Sequence, residues 1–335
     1  MIEILDTAPL SSVQDLGRAP YLRYGVSYSG VMDRLALRVG NALLGNAEDL
    51  AAVEIQAFPC RIRFREARDF ALTGADCPAL LDGVPVLPWW AAHARAGAEL
   101  AIAAPKRGAR VYLTVAGGID VPPVLGSRST QFRGSFGGHE GRWLQGGDVL
   151  PAGVAAGGSV QAPGFGAEPP EAALPADWAP PDMQPGTTAV RVLPAGEYAL
   201  FTEEAQQRFW ATGWKISVQS NRAGFRLAGP PLEFARRVEM RSHGIVPGVV
   251  QVPPSGEPII QLADAHTAGG YPKIGTVVEA DLWRLAQAPL GSRLRFVPVT
   301  YRDALAALRQ ADAWVASLRR LAGQYRLLCA TGRTP

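Results

Sequence analysis

A stretch dominated by Ala, Gly and Pro occupies residues 151–186, near the middle of the 335-residue chain. No Lys or Arg occurs between Arg142 and Arg191. Such a composition buries little apolar surface and disfavours regular structure. The stretch therefore predicts a linker between two domains. The predicted organisation is a first domain over 1–150, a linker over 151–187, a second domain over 188–300, and a C-terminal helix with its tail over 301–335.

Short strands separated by turns are predicted for both domains. The chain contains 37 Gly and 28 Pro, and both residue types destabilise helix interiors, which argues against a helical bundle. Residues 61–72 alternate apolar and polar side chains, the period of a half-buried strand. We therefore predict a mainly β protein with few helices. Capping residues and apolar spacing predict helices over 32–44, 202–210 and 301–328, the last one amphipathic.

Charge and cysteine content exclude several classes of protein. The 33 basic and 30 acidic residues nearly balance and form no run, so a nucleic-acid-binding stripe is not indicated. Three cysteines without a CxxC pair indicate neither a disulfide framework nor a structural zinc site. The N-terminus lacks a signal-peptide pattern, and no run of about 18 apolar residues is present. We expect a soluble, cytoplasmic protein.

The common catalytic and nucleotide-binding motifs are missing. Lys106, Lys215 and Lys273 are the three lysines, and none follows Gly, so the chain has no Walker A loop. It also lacks the GxGxxG fingerprint, the GxSxG nucleophile elbow and histidines at metal-binding spacing. No metal is predicted.

Polar Gly-rich loops are concentrated in the first domain, at 14–18, 27–33, 126–130 and 137–142. Small residues let the backbone approach a ligand, and successive N–H groups can bind an anion. Arg128 lies between two serines and can grip a carboxylate or phosphate in a forked contact. The alternative is that these loops are turns whose arginines tie them together. The candidate anion-binding residues here are Ser127, Arg128, Ser129, Asp33 and Arg18.

A second candidate site follows the strand that ends at Asp264. The segment 251–273 contains that acid, then a Gly pair and several polar side chains. An acid at a strand end beside a Gly-rich loop is a reasonable general base or substrate clamp, and the alternative is a loop-capping carboxylate. Lys273 lies next to the loop and is equally consistent with a surface lysine. The candidate residues are Asp264, His266 and Thr267 for catalysis, and Arg222, Gln251, Gly269, Gly270 and Tyr271 for substrate binding.

The loops at 14–18, 29–33 and 126–130 and the stretch 251–272 together resemble the biotin-dependent carboxyltransferase family, also called allophanate hydrolase subunit 2. The resemblance extends over about residues 1–300. It implies two cyclophilin-like β-barrel subdomains, A and B. The chain departs from the family pattern at Asn221, which replaces an acid, and at Ala223 and His266.

Within this family, the resemblance is strongest to the C subunit of the ATP-dependent 5-oxoprolinase. It implies ring opening of 5-oxo-L-proline to L-glutamate, with ATP bound by the complex. The implied partners are the A and B subunits of that enzyme. The B subunit is kinase-inhibitor-like and corresponds to the C/D half of the carboxyltransferase.

Two alternatives remain open. One is the A/B half of the carboxyltransferase in a biotin-dependent urea or amide carboxylase, and the other is a non-enzymatic regulator that binds the B subunit. A biotin-carrying lysine lies beside Met in this family's carriers, and none of the three lysines does so here. We therefore expect no biotin attached to this chain.

Overall fold

The computed structural model describes residues 1–155, 159–236 and 238–330. The chain divides into two compact units. Unit 1 contains residues 1–18, 29–174 and the chain from Ala311 onward, and unit 2 contains residues 19–28 and 175–310. The boundary after Leu174 lies inside the predicted linker, and the predicted tail beyond residue 330 lies outside the described residues.

Unit 1 is built from two six-stranded sheets, with strand orders β11-β1-β4-β9-β6-β7 and β12-β8-β5-β10-β3-β2. Pairing within each sheet is antiparallel. The strands are β1 Ile2–Thr7, β2 Ser12–Gln14, β3 Ala52–Ile55, β4 Cys60–Phe64, β5 Arg68–Asp76, β6 Ala79–Leu81, β7 Val84–Val86, β8 Trp90–Ala94, β9 Glu99–Ile102, β10 Arg107–Val115, β11 Val149–Leu150 and β12 Phe165–Gly166.

One hydrophobic core joins the two sheets of unit 1. Ile4 and Ile62 contribute from the first sheet, and Phe70 and Leu113 from the second. All four are fully buried. Burial of a large aliphatic or aromatic side chain stabilises a fold by about 1.5–3 kcal/mol, so this core supplies the main driving force of the unit.

The alternation over residues 61–72 belongs to two strands rather than one. β4 ends at Phe64 and β5 begins at Arg68, and the two strands lie in different sheets. The turn between them is fixed by Glu66, whose carboxylate binds the guanidinium of Arg68 and the N-terminal amine. The prediction of one continuous strand was wrong because apolar alternation persists across the turn.

Helix α1, Arg34–Leu44, covers one sheet of unit 1. Asp33 caps its N-terminus, and its side chain accepts a hydrogen bond from the backbone N–H of Ala36. Gly45 ends it in the left-handed conformation at φ 71°. The predicted linker contains a second, short helix, α2 Pro170–Ala173, and its Val160 and Leu174 are buried.

Unit 2 contains a closed barrel with strand order β13-β20-β17-β18-β15-β14-β21 and a two-stranded ribbon, β16-β19. The strands are β13 Thr187–Pro194, β14 Gly213–Ile216, β15 Gly224–Ala228, β16 His243–Gly244, β17 Val249–Gln251, β18 Ile259–Gln261, β19 Ala268–Gly269, β20 Lys273–Val277 and β21 Arg293–Pro298. The helices of unit 2 are α3 Glu203–Ala211 and α4 Leu282–Gln287. Helix α5, Tyr301–Ala330, has its first ten residues in unit 2 and the rest in unit 1.

The predicted helices are present close to their expected bounds. Thr202 caps α3 by accepting a hydrogen bond from the N–H of Ala205, 3.1 Å away. In α5, Ala307, Ala311, Val315 and Ala322 are buried along one face. Three 3-10 helices complete the described elements, at Ala19–Tyr24, Tyr198–Leu200 and Glu279–Asp281.

The mainly β architecture, with a closed barrel, few helices and a C-terminal helix, confirms the predicted fold class. None of the helices in the described ranges combines the length and apolar character that crossing a membrane requires.

Substitution of Gly40 tests how closely α1 packs on its sheet, because the close contact and helix propensity predict opposite changes in stability. A Cβ atom at this position would lie 2.7 Å from Oγ1 and 2.9 Å from Cγ2 of Thr114. Gly40→Ala should therefore lower the free energy of unfolding by about 1–3 kcal/mol, although alanine favours helices. Urea unfolding measures the change.

Gly323→Ala in α5 is the matched control, since a Cβ there meets nothing within 4 Å. It should raise the free energy of unfolding by up to about 1 kcal/mol. A stabilising Gly40→Ala would contradict the described contact.

Candidate functional site

Asp15 joins two of the Gly-rich loops of unit 1. Its buried carboxylate accepts hydrogen bonds from the hydroxyl of Ser127 at 2.6 Å, the hydroxyl of Ser129 at 2.5 Å and the backbone N–H of Arg128 at 2.5 Å. Each serine hydroxyl has a single hydrogen to donate, and here both hydrogens serve Asp15. The proposed anion binding by Ser127 and Ser129 stays a prediction.

Arg18 contacts the same loops. Its Nη2 donates to the carbonyl oxygen of Ser129 at 2.6 Å, and its guanidinium lies 5.2 Å from the ring centre of Phe136. Gly137 passes so close that a Cβ there would lie 2.4 Å from that same carbonyl oxygen. Residues 14–18, 126–130 and 137–141 therefore form one packed cluster.

The two remaining candidates of unit 1 differ in burial. Asp33 is fully buried as the cap of α1, and its N–H donates to the hydroxyl of Tyr112 at 2.9 Å. That hydroxyl donates to Glu54, and burial together with this carboxylate raises the pKa of Tyr112 well above its usual range. Arg128 is partly exposed and forms an ion pair with Asp120 at 2.7 Å.

In unit 2, Arg222 and Asp264 bind each other. Nε of Arg222 lies 2.8 Å from Oδ2 of Asp264, and Nη2 lies 3.3 Å from Oδ1, which is a forked contact. Their side chains are 4% and 16% exposed. The carboxylate thus positions the guanidinium. The strand expected to end at Asp264 stops at Gln261, so this pairing links the segment around residue 222 to the turn after β18.

The departure at Asn221 is accommodated by local turn chemistry. Its side-chain oxygen accepts a hydrogen bond from the N–H of Ala223 at 2.8 Å. An aspartate would accept the same bond, because the contact uses only an acceptor oxygen. The amide therefore preserves the turn that presents Arg222.

The loop after Asp264 returns along the ribbon of β16 and β19. Its His266 is exposed, the carbonyl oxygen of the half-buried Thr267 accepts from the N–H of Ile245 at 2.9 Å, and Tyr271 is 48% exposed. Gly269 gives the loop a close contact, since a Cβ there would lie 2.6 Å from Nε2 of Gln251. Gly270 is similarly close to its surroundings, since a Cβ there would lie 3.1 Å from the carbonyl oxygen of residue 240. The glycines serve packing here.

Lys273, which is buried, forms a polar cluster with the exposed His243 and the half-buried Glu197. Its Nζ contacts Nε2 of His243 at 2.5 Å and donates toward the carbonyl oxygen of Tyr271 at 3.4 Å. Nε2 of His243 also lies 3.1 Å from the carboxylate of Glu197. Burial lowers the pKa of Lys273, and Glu197 partly opposes that shift. The carboxamide of Gln251 also donates toward the carbonyl of Tyr271, at 3.4 Å.

A protein-family comparison matches residues 24–298 to the carboxyltransferase domain, subdomain A and B. The chain belongs to this family. It is 40% identical to the 5-oxoprolinase C subunit of Haemophilus influenzae over 96% of this chain and 98% of that protein. It is 42% identical to the 5-oxoprolinase C subunit of Escherichia coli over 92% of this chain and 94% of that protein.

Among solved structures, the chain is similar to the K. lactis urea amidolyase, with a TM-score of 0.83 and 30% identity. The match covers 95% of this chain and 20% of that protein. The chain thus spans about a fifth of the amidolyase, whereas it matches the two oxoprolinase proteins almost end to end.

The predicted site residues fall into two groups. Arg18, Ser127, Arg128 and Ser129 meet around Asp15 in unit 1, and Arg222 meets Asp264 in unit 2. A further set of predicted residues lies beside Lys273 in unit 2: Gly269, Gly270 and Tyr271 of the loop after Asp264, and Gln251 of β17. Within the described ranges, no group of His, Cys, Asp and Glu could hold a metal ion.

Sequence reasoning missed His243 and Glu197. They come from segments distant from the loop, and neither belongs to a recognisable motif. The available signal was Lys273 itself, one of three lysines in a chain with 33 basic residues.

Asp264→Asn tests the buried ion pair. The variant removes the negative charge that Asp264 presents to the buried guanidinium, so the free energy of unfolding should fall by about 3 kcal/mol. Asp120→Asn is the matched control, because its pair with Arg128 is partly exposed, and it should cost less than about 1 kcal/mol. Equal losses in urea unfolding would show that the Arg222 pair is no stronger than a surface contact.

Proposed function

We propose that this chain is the C subunit of an ATP-dependent 5-oxoprolinase. The supporting observation is the end-to-end match, at 40% and 42% identity, to two proteins of that description. We further propose that the chain acts only in a cytoplasmic complex with two partner proteins, the A and B subunits, and that ATP is the second substrate of that complex.

The proposed reaction opens the lactam ring of 5-oxo-L-proline. ATP transfers its γ-phosphoryl group to the lactam oxygen, which makes the ring carbon open to attack by water. The C–N bond then breaks, the nitrogen takes a proton, and phosphate and L-glutamate leave after a further water is consumed. This sequence needs a donor for the developing negative charge on oxygen and a group that holds one proton.

The residues around the loop 264–272 of unit 2 include both an oxyanion donor and a proton-holding group. Lys273 and Gln251 carry N–H donors toward the carbonyl of Tyr271, a position from which they can also reach a substrate oxygen. His243 contacts Lys273 and can exchange a proton with it. We propose that Lys273, as an ammonium group, stabilises the lactam oxygen, that Thr267 and His266 contact the substrate, and that Asp264 positions Arg222 for the substrate carboxylate.

The decisive assay mixes the purified chain with its A and B subunits, ATP and 5-oxo-L-proline, and measures glutamate. We expect glutamate formation that requires all three proteins and ATP. A stable three-protein complex that forms no glutamate would refute the proposal. If partner binding then persists in Asp264→Ala without turnover of any amide, the chain is a regulator of the B subunit.

The family match and the likeness to urea amidolyase favour one alternative, a carboxyltransferase that takes its carboxyl group from carboxybiotin on a separate carrier. That reaction requires bicarbonate and is inhibited by avidin. Oxoproline opening requires neither bicarbonate nor biotin. Avidin inhibition of amide-dependent ATP hydrolysis would therefore favour the alternative.

Substitutions of Lys273 test the role of its charge. Lys273→Met should lower kcat of the complex by about 100-fold or more, since it removes a donor to the developing charge. Lys273→Arg should retain part of the activity. Lys106→Met, an exposed lysine of unit 1, is the control and should leave kcat unchanged. Equal kcat values for Lys273→Met and wild type would remove Lys273 from the mechanism.

Titration of Lys273 should change the stability of the chain and the activity of the complex in opposite directions. The pKa of Lys273 in the folded chain lies below 10.5, its ordinary value in the unfolded chain. At pH values between the folded-state pKa and 10.5, the folded chain therefore binds fewer protons than the unfolded chain. Stability should therefore rise with pH across that window, while activity should fall as the ammonium group loses its proton. In Lys273→Arg the alkaline fall of kcat should disappear, because arginine stays protonated. An unchanged alkaline limb would assign the fall to another group.

A further inference from the structure

A group of basic side chains projects from the outer face of the barrel at β21. Along this strand, Leu294 and Phe296 are buried inside the barrel, whereas Arg293 and Arg295 alternate with them and face outward. On the neighbouring strand β14, Lys215 pairs directly with Arg293. Like charges directly opposite each other destabilise a sheet, and a bound anion would offset that repulsion.

The described residues provide little compensation for these charges. Arg293 donates to the carbonyl oxygen of Gly213 at 2.8 Å. Within the described ranges, Lys215, Arg293 and Arg295 take part in no ion pair, and the guanidinium of Arg295, a half-buried residue, forms no hydrogen bond to the protein. The N–H donors of Arg295 are therefore open to a ligand, and Arg293 and Lys215 add positive charge beside them. This arrangement favours an anionic ligand.

Two adjoining cavities meet at Arg295. One, of about 240 Å³, is polar and is lined by Arg293, Asp182, Gln184 and Thr187. The other, of about 370 Å³, is mainly apolar and contains Trp210 among its lining residues. Both also share Ala211. Gly213, which pairs with Arg295 across the strands, leaves the space between them open, since a Cβ there would meet only Cδ of Arg293, at 3.7 Å.

The walls of the apolar cavity suit a flat ring. Pro180, Val297 and Pro298 line it with Trp210, whose Nε1–H donates to the hydroxyl of Tyr198 at 2.7 Å and so fixes the indole. Gln207 adds a carboxamide that can hydrogen-bond the edge of a heterocycle. A small carboxylate would leave this cavity unfilled, whereas a ligand with both a ring and a phosphate would fill both.

We propose that the two cavities form one binding site for a nucleoside phosphate. Arg293 and Arg295 bind the phosphate oxygens in forked contacts, and Lys215 adds positive charge at the entrance. The base lies in the apolar cavity beside Trp210, and Asp182 accepts a hydrogen bond from a ribose hydroxyl. The identification of the nucleotide as ATP or ADP rests on the proposed function, whereas nucleotide binding by this chain does not.

The test is isothermal titration of the full-length chain alone with ATP and ADP. We expect saturable binding that Arg295→Gln weakens by about 10-fold or more, because a charge-assisted contact is lost. Arg226→Gln is the matched control, since it replaces an exposed arginine on another strand of the same barrel. Equal affinities for the two variants, with both folded by circular dichroism, would overturn the site.

Two further probes separate the base from the phosphate. Trp210→Leu should weaken ATP binding by about 5-fold or more, since stacking on a base is lost, and should leave binding of inorganic pyrophosphate unchanged. Pyrophosphate that binds as tightly as ATP, or ATP binding insensitive to Trp210→Leu, would overturn the nucleotide assignment. So would the absence of ATP binding at millimolar concentration.

These outcomes are independent of the oxoprolinase assay. A chain that binds ATP through Arg295, in a complex that forms no glutamate, supports this site and refutes the proposed function. Glutamate formation by a complex of the Arg295→Gln chain at wild-type KM for ATP, with no nucleotide bound to the wild-type chain alone, supports the function and refutes this site.

Discussion

The parallel ladder between β13 and β21 is the interaction on which unit 2 depends. Its register runs from Thr187 opposite Arg293 to Val192 opposite Pro298, while the other pairings of the barrel are antiparallel. β13 opens the barrel and β21 is its last strand, so the ladder joins segments about a hundred residues apart in sequence. Closing so long a loop has an entropic cost that the other strand pairs must offset together.

Barrel closure also places the two polar sites of unit 2. β13 pairs with β20, whose first residue is Lys273, and β21 pairs with β14, which contributes Gly213 and Lys215. A shift of one residue in the ladder would turn Arg295 into the barrel and Phe296 outward, because successive side chains of a strand face opposite sides. The core therefore fixes which cations reach the surface.

The fold class and the main helices were predictable, because their signals are local. Asp33 and Thr202 cap helices whose apolar spacing is visible in the sequence. The pairing of the loops at 14–18 and 126–130 was not predictable from spacing, since Asp15 meets residues more than a hundred positions away. The cluster around Lys273 likewise combines Glu197 and His243 from separate segments. Short-range pattern carries no information about such contacts.

Several residues of the loops that carry the family resemblance hold those loops in place. Asp15 takes the hydroxyl hydrogens of Ser127 and Ser129, and Asp264 takes the guanidinium of Arg222. Each bond satisfies a group that would be costly to bury alone. The loops that carry the resemblance therefore serve a structural requirement through these side chains.

The scarcity of lysine sets Lys273 apart on chemical grounds. Of the 33 basic residues, three are lysines, so arginine is the default cation of this chain. Arginine stays protonated when it is buried, whereas the lysine pKa falls readily on burial. Lys273 is buried against His243, and its pKa is lowered by that burial. A lysine at this position, in a chain that uses arginine almost everywhere else, can both carry a proton and release it.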